Sequence, residues 1–67
     1  MNRLPENHPE VQRLVEQMYE QREQVGKIFS FVVFMNTNHL LSELRQRGWI
    51  ARLSEDEQTI YLEPVQE

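Results

Sequence analysis

His39 and Glu43 stand four residues apart, a spacing that sets an imidazole and a carboxylate on one face of a helix. Such a pair makes one edge of a metal site, but zinc takes about four ligands in all. The only other histidine, His8, lies far up the chain beside Pro9, and there is no cysteine to complete a set. Ser30, Ser42 and Ser54 sit in no nucleophile-elbow pattern. The two glycines, Gly26 and Gly48, are too few for a loop that cradles phosphate. The acidic run Ser54-Glu55-Asp56-Glu57-Gln58 lacks the many oxygen ligands at fixed intervals that a calcium loop needs. The sequence therefore offers no catalytic, cofactor-binding or metal-ligating set, and we expect a protein that is not an enzyme.

Recognition is the chemistry left to it. Asn38, His39, Ser42, Arg45 and Gln46 would share the outer face of one helix and form a partner or nucleic-acid face. That helix is bounded by its own residues. Thr37 or Asn38 suits an N-cap, Leu40, Leu41 and Leu44 form the inner stripe, Arg45 and Arg47 complement the last turn, and Gly48 ends it.

The flanking elements follow from pattern. Asn7-His8-Pro9-Glu10 opens a helix over about 8–25, with Asn7 as cap and Gly26 as stop. Val11, Leu14, Val15, Met18 and Val25 make its apolar stripe, with Tyr19 and Arg22 beside it. At the other end, Trp49–Leu53 and Thr59–Glu63 alternate as a β-hairpin, with Trp49, Ala51 and Leu53 facing inward together with Ile60 and Leu62. Its connection holds no glycine, which argues against a tight two-residue turn.

Between the helices runs IFSFVVFM, residues 28–35, where periodicity does not decide. Its β-branched and aromatic content favours a central strand, with Phe29, Phe31, Val33 and Met35 on one face and Ile28, Val32 and Phe34 on the other. The alternative is a buried helix running on through Gly26. The expected fold is α+β: an N-terminal helix, a central apolar strand or buried helix, a second helix and a C-terminal hairpin. Residues 1–6 read as a flexible lead-in to one domain spanning 1–67.

Composition bounds the partners. A chain of 67 residues with 39% apolar residues is globular yet near the lower limit for a self-sufficient core. A strand apolar on both faces would then expose one of them, so Phe29, Phe31, Val33 and Met35 are the expected homodimer interface. The formal charge of −4, with no Lys or Arg after Arg52, confines any basic footprint to a local patch. The N-terminus MNRLPENHPE lacks an apolar signal core, the longest apolar run falls far short of a membrane span, and the absence of cysteine suits a reducing compartment, so the expectation is cytoplasmic.

Residues 40–64, LLSELRQRGWIARLSEDEQTIYLEP, resemble the recognition helix and wing of winged helix-turn-helix regulators of the MarR type. Leu41, Leu44, Arg47, Gly48, Trp49, Ile50 and Leu62 fill the matching places. The resemblance implies a winged-helix-like fold and a DNA-binding transcriptional regulator. It departs at the wing, where the family carries Asp followed two residues on by Arg and this chain reads Asp56-Glu57-Gln58. An acidic tip is repelled by phosphates, which supply most DNA affinity. The leading expectation is therefore a small regulator acting by protein–protein interaction, of inhibitor or adaptor type and homodimeric, with winged-helix DNA binding as the alternative.

Overall fold

A computed structural model describes residues 3–26 and 30–66. The order of elements is α1 (Pro9–Val25), α2 (Phe31–Thr37), α3 (Leu40–Gln46), β1 (Trp49–Leu53) and β2 (Ile60–Pro64). Among the described residues, three helices and one antiparallel hairpin make a small α+β fold.

Helix α1 starts where the proline and the cap put it, but the capping side chain is His8, not Asn7. His8 Nδ1 accepts the Glu10 N–H at 3.1 Å. Val11, Leu14 and Met18 are buried, whereas Val25, expected in the stripe, is 44% exposed. Gly26 stops the helix with φ +86°, and its N–H donates to the Arg22 carbonyl.

The expected central strand is corrected over its described part. Phe31–Thr37 is a separate helix, and Ile28 and Phe29 lie outside the described residues. The buried set decides it: Phe31, Phe34 and Met35 are spaced i, i+3, i+4 and all turn inward. A strand would have sent Phe34 to the face opposite Phe31 and Met35. Phe31 meets Tyr19 edge-on at 6.5 Å between centroids and Phe34 at 6.1 Å, and the Arg22 guanidinium lies 5.4 Å from the Phe31 ring. β-propensity measures fit to a pleated surface, and here three aromatic and sulfur side chains fit a helical stripe better. The buried-helix alternative is what forms, as a helix of its own and not as a continuation of α1, which stops at Gly26.

Asn38 turns the chain from α2 into α3. Its Oδ1 accepts the Leu40 N–H at 2.8 Å and its Nδ2 donates to Gln21 Oε1 on α1 at 3.0 Å. Leu40 and Leu44 are buried, and Leu41 is half-buried against the same core. Gly48 follows α3 at φ +95°, with its N–H donating to the Arg45 carbonyl at 2.9 Å. A Cβ there would lie 2.6 Å from Arg3 Cγ and 3.0 Å from Arg3 Cα, so only glycine fits both the backbone and the crossing chain.

Arg3 and Leu4 do not hang free as a lead-in. Leu4 N–H donates to the Arg47 carbonyl at 3.1 Å, its own carbonyl accepts Trp49 Nε1–H at 2.7 Å, and Arg3 Nη2 donates to the Val65 carbonyl at 2.8 Å. The Arg3 guanidinium also sits 5.8 Å from the Trp49 ring.

The hairpin pairs Trp49 with Pro64, Ala51 with Leu62 and Leu53 with Ile60. Its ladder phase follows from the two bonds that bracket it, Ser54 N–H to the Thr59 carbonyl and Val65 N–H to the Gly48 carbonyl. Hydrogen-bonded pairs alternate, so Ile50/Glu63 and Arg52/Tyr61 carry the inner bonds. Pro64 falls at a position whose missing N–H costs the ladder nothing. As the alternation foretold, Trp49, Ala51, Leu53 and Leu62 pack against the core and Ile60 is buried in it.

Candidate interaction surface

Helix α3 and strand β1 together carry most of what was expected to recognise a partner. His39, Ser42, Arg45 and Gln46 are exposed along one side of α3. Asn38 is not part of that free face, because its amide is spent on Gln21 and the Leu40 N–H. Beside this face lies a groove of about 230 Å³ between α3 and β1, lined by Leu41, Ser42, Arg45, Trp49, Ile50 and Ala51. The sequence places Leu41, Trp49 and Ala51 inward and, by alternation, Ile50 outward, yet all four are half-buried. No spacing rule marks a groove wall of this kind, because each wall side chain touches the core with one edge and solvent with the other.

The expected homodimer residues do not share a surface. Phe31 and Met35 are buried in the core, 9% and 5% exposed, because the helical stripe turns them inward. Val33 is 46% exposed on the outer side of α2 beside Val32 at 41%. Phe29 lies outside the described residues.

Electrostatics on this side are weak and mixed. Among the described residues, Arg45 is the one cation lining the groove and forms no ion pair. Arg52 on the hairpin is matched by Glu63 at 3.1 Å. The tip presents Glu55, Asp56 and Glu57 to solvent. The Ser54 hydroxyl and then the Gln58 N–H both donate to the Asp56 carboxylate and hold its pKa below the ordinary value, so Asp56 keeps its charge further into acid than a free aspartate.

No group of three or more His, Cys, Asp or Glu side chains is arranged to hold a metal ion among the described residues. Among them, too, no helix is long and apolar enough to cross a membrane. The chain matches no family model, no curated protein and no solved structure.

Proposed function

We propose that the chain is a small non-enzymatic regulatory protein, of inhibitor or adaptor type, that binds another protein through the α3–β1 surface. The observation that supports this reading is the lining of the groove: Leu41, Trp49, Ile50 and Ala51 around a single arginine. Aromatic and aliphatic side chains with an occasional Arg are the make-up of protein-interface centres. A duplex, by contrast, is held chiefly by cations on phosphates, and this side offers Arg45 against three tip carboxylates. Capture of partners from host lysate, followed by rebinding of the purified partner, tests it. The wild-type chain should bind and the Arg45→Glu and Ile50→Asp variants should not. Tight, salt-sensitive binding of duplex DNA by the wild type would defeat the reading.

Self-association belongs to the same proposal, on a reduced surface. Val25, Val32 and Val33 offer exposed apolar side chains, while Phe31 and Met35 are already committed to the core. Sedimentation at high micromolar concentration should give a dimer that Val33→Asp dissociates, and a monomeric wild type would remove this part.

A second reading is winged-helix DNA binding. It is favoured by the order of elements, two short helices separated by Asn38 and His39 and followed at once by a hairpin, with Ser42, Arg45 and Gln46 exposed on the second. It expects a gel shift at low salt that Arg45→Ala abolishes.

A further inference from the structure

The two edges of the hairpin are not alike. Residues outside the hydrogen-bonded pairs aim their N–H and C=O groups away from the partner strand, so β2 presents Ile60, Leu62 and Pro64 outward and β1 presents Trp49, Ala51 and Leu53. The β2 edge is blunted. The Ile60 N–H donates to the Tyr19 hydroxyl on α1, and Pro64 has no N–H at all. On the β1 edge, no described residue bonds the outward groups of Trp49, Ala51 and Leu53, which leaves three donors and three acceptors in one row. The groove between α3 and β1 is lined by two of these three residues. Backbone pairing capacity and open space therefore coincide on one side of the sheet.

We propose that the β1 edge docks an extended segment of a partner protein, which adds a third strand antiparallel or parallel to β1 and sends alternate side chains into the α3–β1 groove. This rests on the protein-binding reading above and names the form the partner takes. A row of backbone groups left unbonded by the described residues is matched by an added strand, because each added residue pair completes two hydrogen bonds. Groove chemistry then sets the sequence preference. Leu41, Trp49 and Ile50 accept an apolar side chain, and Arg45 at the rim favours a carboxylate near it. The preferred segment is thus an extended one in which an aliphatic or aromatic residue stands next to, or one place from, an Asp or Glu.

Selection from a displayed library of random ten-residue peptides, followed by amide mapping of the winning peptide on the full chain, tests this. Peptides of the stated pattern should be selected, and binding should slow hydrogen exchange at the Trp49, Ala51 and Leu53 amides above all others. N-methylation of the peptide at the residues that bond β1 should weaken it about tenfold or more, while methylation at the intervening residues should change little. That contrast leaves the protein untouched and is independent of its folding. Arg45→Glu, an exposed change, should weaken the acidic peptide by about tenfold and let a Lys-containing analogue bind instead. If selected peptides map to Val25, Val32 and Val33, or show no alternation on N-methylation, the edge proposal falls while protein binding stands. Should the three amides become protected with protein concentration alone, a second copy holds the edge and the peptide is ruled out. Failure to select any peptide, with duplex DNA perturbing α3 instead, would remove both readings.

Discussion

Glu57 carries a left-handed backbone, φ +60°, at the tip of the hairpin, where the chain turns after Ser54 accepts the Glu57 N–H at 2.9 Å. The missing glycine correctly excluded a two-residue turn, but nothing in Ser-Glu-Asp-Glu-Gln says which residue takes the strained position. A non-glycine residue there costs roughly 1–2 kcal/mol, and asparagine tolerates it best among residues with a Cβ. Glu57→Asn is expected to raise stability by about 0.5–1 kcal/mol in urea denaturation. Removing a charge from three neighbouring acids could mimic that gain, so Glu57→Gln serves as the control and should stay near the wild type. Equal gains from both variants would assign the effect to charge and not to backbone. Asn7 and Asn38 teach the same lesson from the other side: Asn7 is the expected cap and Asn38 an expected cap or face residue, yet the fold gives the first cap to His8 and spends the Asn38 amide on Gln21 and the Leu40 N–H.

Among the elements, those with a clear period and a clear stop were legible. Helix α1 ends at Gly26, α3 ends before Gly48, and the hairpin alternates as its residues do. At α2 the preferred strand gives way to the buried-helix alternative, because a short run rich in Phe and Val satisfies both equally and only the shape of the core distinguishes them. The distinction can be measured. Phe34, 6% exposed, should cost about 3–4 kcal/mol as Phe34→Ala, and about 1 kcal/mol as Phe34→Leu if the alanine variant fails to fold. Val33, 46% exposed, should cost less than about 0.5 kcal/mol as Val33→Ala, since alanine is the better helix former. A strand with Phe31, Val33 and Met35 inward requires the reverse order. Chemical denaturation of the three variants settles which periodicity holds. The candidate surface was legible to a similar degree: the polar face of α3 could be read from spacing, while the groove wall could not, because Trp49 and Ile50 carry no mark of half-burial.

At the scale of the whole molecule, the chain is elongated, 37 × 21 × 17 Å, and its hairpin is held to the helices from two sides. On one side Tyr19 of α1 takes the Ile60 N–H; on the other, Arg3 and Leu4 fasten β1, the residue after β2 and the end of α3 together. That clasp joins residues more than forty positions apart and was invisible as pattern, since Asn2-Arg3-Leu4-Pro5 shows neither a period nor a turn signal. A domain of this size has a total stability of roughly 3–10 kcal/mol, so a few bonds at one junction weigh heavily. Removing Met1–Leu4 deletes three hydrogen bonds, the guanidinium over Trp49 and the half-buried Leu4 side chain. At about 1 kcal/mol for each bond and a similar amount for the leucine, with overlap among them, the loss should come to about 3 kcal/mol. Arg3→Ala, which spares the Leu4 and Trp49 bonds, should lose about 1 kcal/mol. Both are read by urea unfolding followed through Trp49 fluorescence, whose emission should shift to the red in the truncated chain even before unfolding, as its indole N–H turns to water. A truncated chain within about 0.5 kcal/mol of the full one, with unchanged emission, would show that the hairpin is held by α1 and α3 alone.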